Sequence, residues 1–170
     1  MAWACSGLCF ANPPLLESLA AEALPRLNEF VTQNLSLTAW SLATMGVLHQ
    51  TLLDSIASAA IAKISEFSTQ GLNNTVWAFA TLGLMNMPLF HAISSAVIAL
   101  IHEYRAQEHA NTLWAFARLA LSDPPLLQAI SESAMRKLKD FDSQNLANTV
   151  WAFATLSSGA TRSSDSLEVP

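Results

Sequence analysis

Hydrophobic and polar positions in residues 65–83 recur with the spacing of a helix that has two distinct faces. One face is apolar or small and comprises Leu72, Thr75, Val76, Phe79, Leu82 and Gly83. The opposite face is a narrow stripe that comprises Gln70, Asn74, Trp77 and Thr81. Ser68 and Thr69 are capping candidates, and glycine is a natural residue just past a helix end, so the pattern predicts a first helix from about Gln70 to Gly83.

A second type of segment has a single apolar stripe, which predicts an amphipathic helix with its other side toward water. In the third unit, this stripe holds Leu89, Phe90, Ile93, Val97, Ile98, Ile101 and Tyr104. The corresponding segment of the next unit opens with Asp123-Pro124-Pro125, which is an N-cap residue followed by prolines at early helical positions. Asn12-Pro13-Pro14 repeats that arrangement near the start of the chain.

All five tryptophans of the chain are spaced by 37 residues, and they are Trp3, Trp40, Trp77, Trp114 and Trp151. A fixed period of this length is typical of solenoids, in which each unit packs only against its neighbours. The sequence therefore predicts an all-α fold, an α-solenoid of helix-pair repeats with a 37-residue period. We expect residues 1–156 to form about four units truncated at both ends, and residues 157–170, rich in Ser, Thr and Gly, to be a disordered tail.

The first-helix phrase resembles that of the octotricopeptide and heptatricopeptide repeats. The resemblance lies in Gln-Gly-Leu-Asn-Asn-Thr-Val-Trp-Ala-Phe-Ala-Thr-Leu-Gly at Gln70–Gly83 and His-Ala-Asn-Thr-Leu-Trp-Ala-Phe-Ala-Arg-Leu at His109–Leu119. It implies an α-solenoid that binds RNA in a chloroplast or mitochondrion. Organellar localisation is implied by this resemblance alone, since the N-terminus does not read as a targeting peptide.

Composition narrows the possible partners of such a solenoid. Hydrophobic residues make up 52% of the chain and charged residues only 12%, so we expect a low-charge surface and no membrane-spanning segment. The net charge of −5 provides no global attraction for phosphate. We expect neither a metal site nor a disulfide at Cys5 and Cys9, because small buried residues on a helix account for both.

Positions that are identical in every unit are interpreted first as structural. They form one ladder of glutamines and one of tryptophans: Gln33, Gln70, Gln107 and Gln144, and Trp3, Trp40, Trp77, Trp114 and Trp151. A threonine ladder at Thr38, Thr75, Thr112 and Thr149 is expected, with the glutamines, to serve helix starts and inter-repeat hydrogen bonds. The alternative of base recognition stays open, and for the tryptophans this means stacking on unpaired bases.

Positions that vary beside the stripe are the candidates for RNA recognition. They are Asn34, Glu108 and Asn145 at one site of the repeat and Asn73 at another, together with Arg105 and Arg118. Arg118 replaces the threonine of the other units and has no evident structural role. Residues 100–139 carry a net charge of +1 against −6 for the remainder, which makes them the zone most suited to phosphate. Arg26, Lys63 and Lys137 are instead expected to pair with the acidic residues that follow them three positions later.

No catalytic constellation is visible, and no cofactor or metal is expected. The four histidines occupy different positions of different units, and the serines lack a glycine-rich elbow or phosphate loop. Two hypotheses remain: an organellar RNA-binding module, or a protein-interaction scaffold in a larger complex. In both, a protein partner or neighbouring repeats would cover the two uncapped ends.

Overall fold

The computed structural model describes residues 13–165, with the side chains of residues 14–158, and this part of the chain contains helices and no strand. The helices are α1 (Pro13–Ala23), α2 (Thr32–Thr44), α3 (Gln50–Ala62), α4 (Thr69–Thr81), α5 (Met87–Ala99), α6 (Ala106–Arg118), α7 (Pro124–Arg136) and α8 (Ser143–Asp165). Short 3₁₀ segments at Leu24–Glu29, Ile64–Glu66 and Leu138–Asp140 follow α1, α3 and α7. The predicted all-α helical-repeat fold is confirmed.

The helices form two layers in which each unit contacts the next. The tryptophan-bearing helices pack side by side in the order α2, α4, α6 and α8, and their mutual contacts are the most extensive among the described helices. Helices α3, α5 and α7 form the second layer and likewise contact one another in order. The hydrophobic core runs through both layers.

Small residues explain why the helices of the first layer lie so close together. In α4, Ala78, Phe79 and Ala80 are all buried. The two alanines lie about 200° apart around the helix, so each flank of α4 presents a methyl group to a neighbouring helix. The larger phenylalanines join the layers, since the rings of Phe90 in α5 and Phe116 in α6 meet edge to face with centroids 5.3 Å apart.

The helix boundaries follow the predicted caps closely. The Ser68 hydroxyl accepts a hydrogen bond from the Gly71 amide at 3.2 Å, and the Asp123 carboxylate accepts one from the Leu126 amide at 3.1 Å. Gly83 lies two residues beyond the end of α4 with a φ of +70°, in the left-handed region that glycine adopts without a Cβ penalty. These local signals set where each helix begins and ends.

The C-terminal end of the array presents apolar surface. Leu146 and Val150 of α8 are 42% and 68% exposed, whereas Leu72 and Val76, their equivalents in α4, are fully buried. Helix α8 continues to Asp165, past the predicted boundary at residue 156. Trp3, Cys5, Cys9 and the predicted truncated first helix lie outside the described residues.

Candidate nucleic-acid interface

Three repeat tryptophans line one groove on the outer side of the first layer. Trp77 of α4, Trp114 of α6 and Trp151 of α8 surround a volume of about 460 Å³ together with Thr81 and Arg118. They meet because the 37-residue period places each tryptophan at the same position of a helix, and these helices stack side by side. The 37-residue repeat thus aligns the tryptophan rings in a row across neighbouring helices.

The tryptophans are neither core residues nor free surface residues. Trp77 and Trp114 are half-buried and pack against the core with part of each ring, while Trp151 is 45% exposed. Because an indole ring is large, this arrangement lets the same side chain join neighbouring helices and present an aromatic surface to the groove. Packing between units and stacking on unpaired bases, the two interpretations of the tryptophan ladder, are therefore geometrically compatible.

The row of rings is closed at its N-terminal side. The rings of Trp40 and Trp77 have centroids 6.5 Å apart and planes inclined by 35°. This separation lies within the range of directly packed aromatic pairs. The groove therefore opens from Trp77 toward Trp151 and not from Trp40.

Arg118 supplies a cation to the groove. It is the last residue of α6, one turn beyond Trp114, and it is exposed. In two other units the equivalent threonine bonds within its own helix: the Thr44 hydroxyl donates to the Trp40 carbonyl at 3.1 Å, and the Thr155 hydroxyl donates to that of Trp151 at 2.8 Å. Within the described side chains Arg118 forms no ion pair, and its position at a helix C-terminus suits a positive charge.

A groove of this composition can hold flat, π-bearing groups attached to a negatively charged backbone. Indole rings stack on nucleobases of any sequence, and a guanidinium can grip a phosphate or stack on a base. These are the chemical properties of a site for unpaired nucleic acid.

A model of the RNA-editing substrate-binding complex 6 protein family matches residues 4–119 of this chain, and a second match covers residues 77–158. The chain belongs to this family. The overlap of the two matches at residues 77–119 is what a repeat array produces, because one family model can align with different units. In comparison with curated proteins, no relative matches this member of the RNA-editing substrate-binding complex 6 family.

Arg118 is the only predicted RNA-contacting residue that the structure of this family member places in the groove. Arg105 is exposed but lies at the opposite end of α6, about 20 Å away at 1.5 Å per residue. Asn34 is exposed at the first turn of α2, whereas Asn73 and Asn145 are buried.

Glu108 is a capping residue between units. Its buried carboxylate accepts a hydrogen bond from the Arg105 amide at 2.8 Å and one from the Thr69 hydroxyl of the preceding first-layer helix at 3.2 Å. Both carboxylate oxygens are thus engaged within the protein, away from the groove. The geometry assigns Glu108 to holding α6 against α4.

The threonine ladder works differently from the prediction. The hydroxyls of Thr38, Thr75 and Thr149 donate to the backbone carbonyl four residues earlier in their own helices, at 2.8, 2.9 and 2.7 Å. The expected inter-repeat role is therefore wrong for these three residues. The glutamine ladder at Gln33, Gln70, Gln107 and Gln144 is exposed at the helix starts.

The prediction for the basic residues at the ends of the second-layer helices is also corrected. Lys63 donates to the carbonyl oxygens of Asn28 and Phe30 at 2.9 and 2.7 Å, and Lys137 occupies the same position in its own unit. Arg26 pairs with Glu22 at 3.4 Å, one turn earlier, in place of the expected partner three residues later. These lysines satisfy backbone carbonyls of the preceding unit, because the stacked layers bring those groups within reach of a long side chain.

A buried polar cluster at the start of α6 was missed by sequence reasoning. Tyr104 and His109 are fully buried, and their rings meet edge to face at 5.7 Å. His109 Nδ1 lies 2.7 Å from the Arg105 carbonyl oxygen, and the buried Nε2 has no partner among the described residues. Burial lowers the pKa of His109 and raises the pKa of Tyr104.

Alignment of the units contains the signal that would have found this cluster. Tyr104 stands where the other units have phenylalanine, and His109 stands where they have leucine. The equivalent residues are Phe30, Phe67 and Phe141 for the first position and Leu35, Leu72 and Leu146 for the second. Among the described residues, no group of histidine, cysteine or carboxylate side chains is placed to hold a metal ion, and no helix is long and apolar enough to span a membrane.

Proposed function

We propose that this protein is a non-enzymatic, octotricopeptide-like solenoid that binds single-stranded RNA in the groove of Trp77, Trp114, Trp151 and Arg118. The observation that carries the proposal is the meeting of three repeat tryptophans with an arginine that departs from the repeat consensus. Membership in a family named for an RNA-editing substrate-binding complex supports it. In that setting the chain would be an accessory subunit of an organellar ribonucleoprotein assembly.

The aromatic character of the groove favours unpaired RNA as the ligand. Bases within a duplex are stacked on one another and cannot reach the indole rings, whereas unpaired bases can stack on them. The proposal includes no catalytic step, because the histidines and serines form no recognisable catalytic arrangement in the sequence.

The direct test is Arg118→Thr, which restores the repeat consensus. We expect its melting temperature to stay within about 2 °C of the wild type, because an exposed residue with no ion pair contributes little to stability. RNA affinity should fall, and the slope of log K against log salt should decrease by about one unit or slightly less. Arg136→Thr is the matched control, since it removes an exposed arginine of α7 outside the groove. If the wild-type chain does not bind RNA at low salt, the proposal is contradicted.

A second candidate is a protein-interaction scaffold, and the exposed apolar face of α8 favours it. Leu146 and Val150 present the kind of surface that a partner helix or a neighbouring repeat covers. Binding through such a face would depend weakly on salt, in contrast to binding through phosphate contacts. Retention on RNA that falls steeply with salt would therefore favour the first candidate over this one.

A further inference from the structure

We infer that the RNA slot is short: it accommodates about two or three unpaired nucleotides between Trp77 and Trp151, and it excludes Trp40. This inference rests on the proposed function and adds the footprint and the mode of binding. It predicts that aromatic stacking, and not charge, supplies most of the affinity.

The exclusion of Trp40 follows from the geometry of its ring. A base inserted between two rings needs about 3.4 Å on each side, so the rings must be nearly parallel and about 7 Å apart. Trp40 and Trp77 are 6.5 Å apart and inclined by 35°, so they already contact each other and leave no slot of uniform depth. Trp40 therefore packs against Trp77 outside the slot.

The open part of the row has the volume of a small-ligand site. Its 460 Å³ falls within the range of roughly 300–1,000 Å³ that is typical of pockets for small organic ligands, which matches a few nucleotides and not a long strand. Three indole rings from α4, α6 and α8 form its walls. Each stacked base is therefore held by rings from neighbouring units.

The charge in the groove also points to stacking. Arg118 is the charged residue among those that line it, so one phosphate contact is expected. For single strands, one such contact gives a salt slope of about 0.7. Alanine substitution of a stacking aromatic weakens binding of single strands by roughly five- to 150-fold, which exceeds what one exposed phosphate contact provides. Arg118 would position the strand through one phosphate, while the rings hold the bases.

The experiment measures binding of a fluorescein-labelled 12-nucleotide oligouridylate and of a labelled, blunt-ended, two-stranded RNA duplex, by fluorescence anisotropy. Trp114→Leu removes the ring while preserving an apolar side chain, and Trp114→Phe retains a ring. We expect Trp114→Leu to weaken oligouridylate binding about fivefold or more and Trp114→Phe to retain most of it. Trp40→Phe and Trp40→Leu should each bind within about twofold of the wild type. Circular dichroism verifies that every variant is folded.

The outcomes separate this inference from the function on which it rests. If the wild-type chain binds neither RNA, the proposed function itself fails. If it binds oligouridylate but Trp40→Leu weakens binding as much as Trp114→Leu, the slot is not confined and the inference is overturned while RNA binding stands. Equal affinity for the duplex, or loss of binding with Arg118→Thr but not with Trp114→Leu, would overturn stacking in the same way. Oligouridylates of three and six nucleotides should bind nearly as tightly per site as the 12-mer, and a steep rise of affinity up to twelve would contradict the short footprint.

Discussion

The ammonium group of Lys137 donates a hydrogen bond of 2.7 Å to the backbone carbonyl of Tyr104, which belongs to the preceding unit. The same group donates to the carbonyl of His102, also at 2.7 Å. Lys63 makes the equivalent pair of bonds two units earlier in the stack, so this lysine ties consecutive units together. The third unit lacks it, because Leu100 occupies that position.

We expect Lys137→Met to lower the free energy of unfolding by about 1–2 kcal/mol, since hydrogen bonds from a charged donor are lost and the partly exposed site tempers the cost. Leu100→Lys is the complementary variant and should raise stability by up to about 1 kcal/mol, because it offers a donor to the equivalent carbonyls of the preceding, second unit. Urea unfolding followed by circular dichroism measures both. Equal stability of the wild type and Lys137→Met would show that these bonds merely replace bonds to water.

Ala120 has a φ of +53° at the position where Gly46 and Gly83 end the equivalent helices. The left-handed conformation strains any residue with a Cβ, so Ala120→Gly should stabilise the protein by about 1 kcal/mol. Gly83→Ala is the matched control and should cost a similar amount. A Cβ at Gly83 meets no atom within 4 Å, so that cost would come from the backbone alone. If thermal melting shows Ala120→Gly to be less stable, the entropy of glycine in the unfolded chain outweighs the relief of strain.

His109→Leu restores the residue of the other units and removes the unpaired Nε2, so it should raise the free energy of unfolding by about 1–3 kcal/mol at neutral pH. It should also change the pH dependence. Burial lowers the pKa of His109 in the folded protein, with Lys137 acting in the same direction and Glu108 and the Arg105 carbonyl opposing it. The unfolded chain then takes up a proton near pH 6.5 that the folded chain does not, so wild-type stability falls as the pH drops below about 6.5.

The pH effect is measured by urea titrations at pH 7.5 and pH 5.5. We expect the difference in stability between the two pH values to be smaller for His109→Leu than for the wild type. His91→Gln removes an exposed imidazole of α5 and serves as the control. An unchanged difference in His109→Leu would mean that other groups cause the acid sensitivity.

Trp77→Ala should lower the free energy of unfolding by about 2–3 kcal/mol, near the lower end for loss of a large ring, because Trp77 is half-buried and contacts Trp40. Trp151→Ala should cost about 1 kcal/mol, since its ring is 45% exposed. Chemical unfolding of the two variants side by side gives the comparison. Equal costs would indicate that the greater burial of Trp77 and its contact with Trp40 add nothing to stability.

The sequence of this protein predicts most of its fold but less of its candidate site. The 37-residue interval between tryptophans, the apolar stripe of each helix and the caps at Ser68, Asp123 and Gly83 predicted the helix pairs and their boundaries. Local signals suffice here because each unit packs against its neighbours only. The same intervals identified Arg118 as a departure from the consensus, but they could not distinguish it from Arg105 or Glu108 as a groove residue.

Whether a candidate residue faces the groove depends on contacts between units, and the residue pattern of a single helix does not contain those contacts. A helical wheel places Glu108 near the stripe, yet the approach of α4 brings the Thr69 hydroxyl to its carboxylate and buries it. The wheel also places Trp40, Trp77 and Trp114 at one equivalent position, whereas in the stack Trp40 closes against Trp77 while Trp77 and Trp114 border an open groove. By itself the sequence determined the all-α repeat, its period and the face that carries the rings, because these follow from residue spacing along one helix. Only the tertiary structure decided which rings stay open and which polar groups are buried, because both depend on how closely neighbouring helices pack.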